Sequence, residues 1–279
     1  MSSGRVWHVE PAGPGSEGSG ARNPRAVRYG WGPTPDRHRP DLQPIVTTMP
    51  PMTTSVVVGG SSGIGEYIAQ RFADRGDEVV ITSRDASRAR DVADSIGGRT
   101  RGIALDLADP ESIEASLGDV TGVDRLVVTA IEQSVNTLAD FNIEAATRAV
   151  TVKMVGYTEV VRVLRSRFGP EAAVVLFGGL AKDRPYPGST MVSAFNGGIT
   201  ALVRTLAIEL APYRINALHP GVVGDSPKWR DVPDHPHVQR TPLGRLVTME
   251  EVADATDFLL RNSGVNAQNL IIDGGLLAT

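Results

Sequence analysis

The chain has no cysteine in its 279 residues, and this one absence removes disulfides, thiol nucleophiles and thiolate metal sites together; it accords with a reducing, cytoplasmic setting. Excess basic charge is missing as well. The 28 Lys and Arg residues stand against 32 Asp and Glu, for a formal net charge of −4, so no global positive field gathers nucleic acid or an anionic membrane surface. No uninterrupted apolar run approaches the roughly 18 residues that span a bilayer. What is present is 41% hydrophobic residues, enough for one large two-sided core or two small ones. A soluble protein with a small-molecule partner is expected, without nucleic acid or membrane.

Residues 1–52 differ in kind from the rest. They hold nine prolines, seven glycines and six arginines, no lysine, and no apolar stretch with a period of 2 or 3.6. Such a segment buries too little surface to offset its ordering entropy, so a disordered N-terminal extension is expected. Trp7 and Trp31 within it would suit a binding tail; the alternative is a functional start at Met49 or Met52. No signal-peptide h-region is present, and Glu10, Glu17, Asp36 and the prolines argue against a transit peptide.

From Thr53 to Thr279 the pattern alternates between strand and helix and predicts a single domain. Strands are expected at Ser55–Val58, Glu78–Thr82, Ile103–Leu105, Leu126–Thr129, Val174–Phe177, Ile215–Leu218 and Leu270–Ile272. Most are continuous aliphatic runs, as in strands buried on both faces. Helices are expected from Ile64 to Arg75, closed by Gly76, from Ser87 to Ile96, closed by Gly97 and Gly98, and over Ile143–Phe168 and Val192–Leu210. The sum is a doubly wound, about seven-stranded parallel α/β sheet of the Rossmann type.

Between the first strand and first helix stands Val58-Gly59-Gly60-Ser61-Ser62-Gly63-Ile64-Gly65. Glycines at such a turn let the backbone approach a pyrophosphate, which then faces the N-terminus of the helix. Gly59, Ser61, Ser62, Gly63, Ile64 and Gly65 are therefore candidate cofactor contacts. Arg84 ends the second strand, 19 residues after Gly65, where an acid would bind the ribose 2′-hydroxyl of NAD. A guanidinium there, helped by Ser83 and Arg88, suits a 2′-phosphate and favours NADP(H) over NAD(H). Asp106 and Leu107, after the third strand, are placed to bracket adenine.

The glycine pattern, Asp106, Asn216-Ala217-Leu218-His219-Pro220-Gly221-Val222-Val223, Thr241-Pro242-Leu243-Gly244-Arg245, Glu250-Glu251-Val252-Ala253 and Ile272-Asp273-Gly274-Gly275 together resemble the short-chain dehydrogenase/reductase family over essentially all of Thr53–Thr279. The resemblance implies that Pro220, Gly221 and Val223 meet the nicotinamide carboxamide, that Thr129 and Ala130 flank the cofactor, and that Gly224–Arg240, with Trp229, His235 and His237, forms a substrate lid. It also implies a homodimer or homotetramer paired through Ile143–Phe168 and Val192–Leu210, with Gly156, Gly197 and Gly198 permitting close approach.

The resemblance breaks at the chemistry. The family's Asn, Ser and Tyr-x-x-x-Lys positions fall on Lys153, Gly179, Val192 and Asn196, and its Asn-Asn-Ala-Gly turn on Val128-Thr129-Ala130-Ile131. Val192 has no proton to give. The remaining catalytic candidates are Lys153, an ammonium in an otherwise apolar helix, Asn196, which can hold the ribose hydroxyls, and Tyr186, in the loop six residues before Val192. Ser189 and Ser193 are weaker candidates. His235-Pro236-His237 lacks a third ligand at metal spacing, so no metal is expected, and His219 reads as structural. Three functions fit this set: an NADP(H)-dependent reductase of a carbonyl, quinone or enone with a non-standard proton source, a non-redox isomerase or cyclase in the same pocket, and a catalytically silent dinucleotide-binding or sensing protein.

Overall fold

The computed structural model describes residues 52–132, 136–232 and 234–279. The expected N-terminal extension lies outside these residues, save Met52. Seven strands form one parallel sheet: β1 (Thr54–Val58), β2 (Glu78–Ser83), β3 (Arg99–Ala104), β4 (Val123–Val128), β5 (Phe168–Phe177), β6 (Arg214–Pro220) and β7 (Asn269–Ile272). Their spatial order is β3-β2-β1-β4-β5-β6-β7. The order reverses between β1 and β4, and ligands of open α/β sheets bind outside the carboxyl ends of the strands at such a switch point.

The aliphatic runs sit at the centre because both sheet faces are covered. One core gathers Val56, Leu126, Val174, Ile199 and Val203, the other Val57, Ile68, Phe72, Val175 and Val252. The helices are α1 (Gly63–Asp74), α2 (Ala86–Ile96), the short α3 (Ile113–Ser116), α4 (Ile143–Val150), α5 (Tyr157–Leu164), α6 (Thr190–Glu209) and α7 (Met249–Arg261). Gly76 closes α1 at φ 87° and Gly97 closes α2 at φ 74°, as the left-handed region they occupy suits glycine. A capping box, Thr248 with Glu251, starts α7.

Three elements depart most from the sequence expectation. The strand expected at Ile103–Leu105 runs instead over Arg99–Ala104; as the sheet edge it bonds only β2, so Arg99 and Arg101 reach solvent and break the aliphatic signal. The strand expected from Val174 starts at Phe168, past Gly169 and Pro170, through an irregular register against β4. Helix Ile143–Phe168 is not one α-helix: Thr151–Gly156 between α4 and α5 is π-helical, and Phe168 already belongs to β5. A Cβ on Gly156 would lie 2.5 Å from the Leu107 carbonyl oxygen, and one on Gly198 2.8 Å from Met154 Sδ, so both serve packing within the chain. Gly197 has open space beside it. Helix α6 is long and apolar enough to cross a bilayer, though Ser193, Asn196 and Arg204 interrupt it; Phe195, Ile199 and Val203 bury one face against the rest of the domain.

Candidate nucleotide-binding and active site

At the carboxyl ends of β1, β2, β3 and β4 lies a cleft of about 690 Å³, within the usual range of small-molecule sites. Its floor is the glycine turn. The Gly59 N–H donates to Thr82 Oγ1 at 3.2 Å, and the Thr129 hydroxyl donates to the Val58 and Gly59 carbonyl oxygens at 3.1 and 3.3 Å. The turn is thus pinned from both neighbouring strands. Gly59 has φ 84°, and a Cβ on it would stand 2.8 Å from Ala130 N; a Cβ on Gly65 would stand 2.2 Å from the Gly59 oxygen. Neither position admits a side chain.

Helix α1 begins at this turn with no side-chain cap on Ser62, whereas Asp85, Asn142 and Thr248 cap α2, α4 and α7. Its first N–H groups keep their capacity to donate, which is the chemistry a pyrophosphate takes. Ser61, Ser62, Gly63, Ile64, Ser83, Arg84, Asp106, Leu107, Ala130, Gly221 and Val223 also line the cleft. Pro220 and Asn196 do not. From the expected lid, Ser226, Pro227, Lys228 and Trp229 form the far wall, while His235 stacks edge-on against Trp229 and His237 against His235. Among the described residues no group of three or more His, Asp or Glu side chains is placed to hold a metal.

The cation at the end of β2 has company. Asp85 also lines the cleft, but its carboxylate accepts from the Ser87 hydroxyl and from the Ser87 and Arg88 N–H groups; these bonds hold its pKa below the usual value, and the acid is committed to capping α2. Arg88 donates to the Ser61 carbonyl oxygen at 3.2 Å. Arg84 Nη1 lies 3.0 Å from Glu132 Oε2. Asp106 receives Arg148 at 3.1 Å; burial opposes its ionisation, but the Ala108 N–H and Arg148 outweigh it and hold its pKa down.

The three catalytic candidates are not together. Tyr186 is 57% exposed, held outward in the loop between Pro185 and Pro187, and does not line the cleft. Lys153 is 2% exposed and sits behind the cleft wall in the π-helical turn, next to Val152, which does line it. π-Helical turns are often found at functional sites. Lys153 Nζ donates to the Tyr157 hydroxyl at 2.8 Å, and that hydroxyl donates to the Ala130 carbonyl oxygen at 2.7 Å. Burial alone lowers the Lys153 pKa to about 7 and raises that of Tyr157 well above its ordinary value. Tyr157 was not singled out from sequence. Its signal was there, four residues after Lys153, but in the reverse of the order Tyr-x-x-x-Lys.

Asn196 is buried, and its carboxamide Nδ2 stands 2.9 Å from where a Cβ on Gly179 would be. The amide thus crowds the position that the resemblance gives to serine. His219 accepts from the Gly179 N–H at Nδ1, 3.2 Å, and meets Asn269 Oδ1 through Nε2 at 2.9 Å; its pKa is lowered, chiefly by burial. A ring bonded through both nitrogens and fully buried holds the β5–α6 loop to β6 and β7. Ser189 and Ser193 hydroxyls bond each other at 3.0 Å.

The family model described as Enoyl-(Acyl carrier protein) reductase matches residues 58–277. The chain belongs to the short-chain dehydrogenase/reductase family. An L-xylulose reductase of Mus musculus is 30% identical over 237 residues, covering 81% of this chain and 96% of the relative. Among solved structures, the 3-ketoacyl-(acyl-carrier-protein) reductase from Brucella melitensis complexed with NADH matches with TM-score 0.72 at 30% identity, over 81% of this chain and 98% of that one. A small-chain dehydrogenase in complex with NADPH matches with TM-score 0.69 at 25% identity, over 82% and 100%. These relatives support an oxidoreductase with a nicotinamide dinucleotide cofactor, and the glycine turn, uncapped α1 and Asp106 of this chain fit such a group.

Proposed function

We propose that the chain is an NADP(H)-dependent oxidoreductase that reduces a small carbonyl, quinone or enone substrate, with a proton source other than the family's tyrosine. The observation that carries the cofactor choice is Arg84 on the cleft rim at the end of β2, beside an Asp85 already engaged by α2. A guanidinium recognises a phosphate with paired donors, and no free carboxylate at that strand end competes for a ribose hydroxyl. The glycine turn and the α1 N-terminus take the pyrophosphate, while Gly221 and Val223 border the nicotinamide end. Bound there, the cofactor supplies the hydride.

The residues then have one remaining task, the charge that develops on the substrate oxygen. Val192, Gly179 and Asn196 supply no acid at neutral pH. Lys153 holds an exchangeable proton near neutrality, sealed behind Val152 and steadied by Tyr157. From there its charged form acts through its field rather than by touching substrate, while the proton itself comes from water or from a hydroxyl of the substrate; preorganised charge of this kind is commonly the largest contribution to catalysis. Substrates that tolerate a weak acid, such as quinones, enones or ketones with a neighbouring hydroxyl, should react faster than simple ketones. The test is NADPH oxidation, followed by absorbance across a panel of these three classes. Turnover supports the reading, and its absence across the panel overturns it.

One observation favours a second reading. Among the described residues lining the cleft there is neither tyrosine nor histidine, as a silent dinucleotide-binding protein would have it. Tight cofactor binding without turnover selects that reading.

A further inference from the structure

Arg84 does not stand alone on the rim. Its Nη1 is 3.0 Å from Glu132 Oε2, the same oxygen lies 3.6 Å from Arg148 Nε, and Arg148 Nη2 reaches Asp106 Oδ2 at 3.1 Å. The four side chains form an alternating charge chain from the end of β2, past the end of β4, to the loop after β3. Arg84, Asp106 and Glu132 all line the cleft. Glu132 is the link that matters, because its carboxylate bonds Arg84, the guanidinium at the end of β2 read above as receiving a 2′-phosphate.

We infer that Glu132 is a specificity-determining residue that tempers the preference of this site for NADP(H) over NAD(H). The inference rests on the reading of Arg84 given above. A 2′-phosphate must either draw Arg84 away from Glu132 or share it, and in both cases a carboxylate remains close to a dianion. Like charges at that separation repel, and an acceptor already on the guanidinium lowers what the phosphate gains. A 2′-hydroxyl meets no such opposition. Glu132 therefore raises the Kd for NADPH and leaves that for NADH nearly unchanged. Arg148 moderates the effect, since it holds the same carboxylate from the other side and is itself tied to Asp106.

Glu132→Gln keeps the shape and an acceptor oxygen while removing the charge. The expected result, read by direct calorimetric titration of the full chain with each cofactor, is an NADPH Kd about three- to fivefold lower, the size of a partly exposed ion pair, with the NADH Kd changed by less than about twofold. Two further proteins separate the inference from its foundation. Arg84→Gln should weaken NADPH selectively, and in Arg84→Gln/Glu132→Gln the gain from the second substitution should shrink to what relief of the direct carboxylate–phosphate repulsion supplies. If Arg84→Gln lowers NADPH affinity but Glu132→Gln leaves it unchanged, the role of Glu132 is refuted while that of Arg84 stands. If Arg84→Gln leaves the ratio of the two affinities untouched, the Arg84 reading and the inference fall together.

Discussion

Lys153→Met should make the protein more stable at neutral pH and remove a pH dependence that the unmodified chain carries. The magnitude follows from burial. The Lys153 ammonium is sealed in the π-helical turn with the Tyr157 hydroxyl beside it, and burial lowers its pKa from 10.5 to about 7. At about 1.36 kcal/mol per pH unit, the fold disfavours the charged form by about 5 kcal/mol relative to the unfolded chain. Above pH 10.5 the lysine is neutral in both states. As pH falls from there to about 7, the unfolded chain takes up the proton and the native one does not, so stability declines by up to ~1.4 kcal/mol per unit; below that range both states are protonated and the slope ends. Tyr157, its pKa raised by burial, contributes only in the alkaline range where an unfolded tyrosine ionises, and it is present in both proteins. Methionine fills a similar volume without charge, at the expense of one hydrogen bond worth about 1 kcal/mol. Urea unfolding at about pH 7.5 and about pH 9.5 should show the unmodified chain gaining about 2 kcal/mol relative to the variant between the two, within the linkage limit. Parallel stability curves would refute the burial of a titrating lysine.

The same group predicts a rate effect: if the charged Lys153 supports reduction, kcat falls as pH rises through about 7, and Lys153→Met removes that limb and lowers kcat by about 10²-fold with little change in NADPH affinity. Tyr186→Phe should have the smaller effect, and full activity in Lys153→Met with loss in Tyr186→Phe would make the loop tyrosine the acid. Gly65→Ala places a Cβ 2.2 Å from the Gly59 oxygen, so it should cost about 1–3 kcal/mol of stability and weaken both cofactors alike in a titration. Light scattering at micromolar concentration should give the mass of a dimer or tetramer, because Ile143, Val155 and Ile208 stand exposed on α4, the π-helical turn and α6; a monomer mass would contradict it.

The sheet was most legible in sequence where strands are buried on both faces, because β1, β2, β4 and β5 then carry aliphatic runs. It was less legible at the edge, where β3 pairs on one side and keeps polar residues. The glycine turn of the candidate cofactor site was legible because it is a local feature, set by a backbone proximity that a Cβ at Gly59 or Gly65 would prevent. The rest of the site depends on residues brought together by folding. Tyr157 meets Lys153 along one helical turn but reaches Ala130 only through the tertiary packing of the turn on β4. Glu132 meets Arg84 across 48 residues, and although the end of the second strand marks Arg84, nothing in the local pattern marks Glu132. Asn196 crowding Gly179 is likewise a contact between a helix and a loop that composition does not register.

The central claim is that the cleft takes a nicotinamide dinucleotide and reads its 2′-phosphate. Titration of the unmodified chain with NADPH and NADH, followed through the fluorescence of Trp229 on the cleft wall and by calorimetry, tests it most directly. The account predicts saturable binding of both, with the lower Kd for NADPH. Equal affinities, tighter NADH binding, or no binding of either would contradict it.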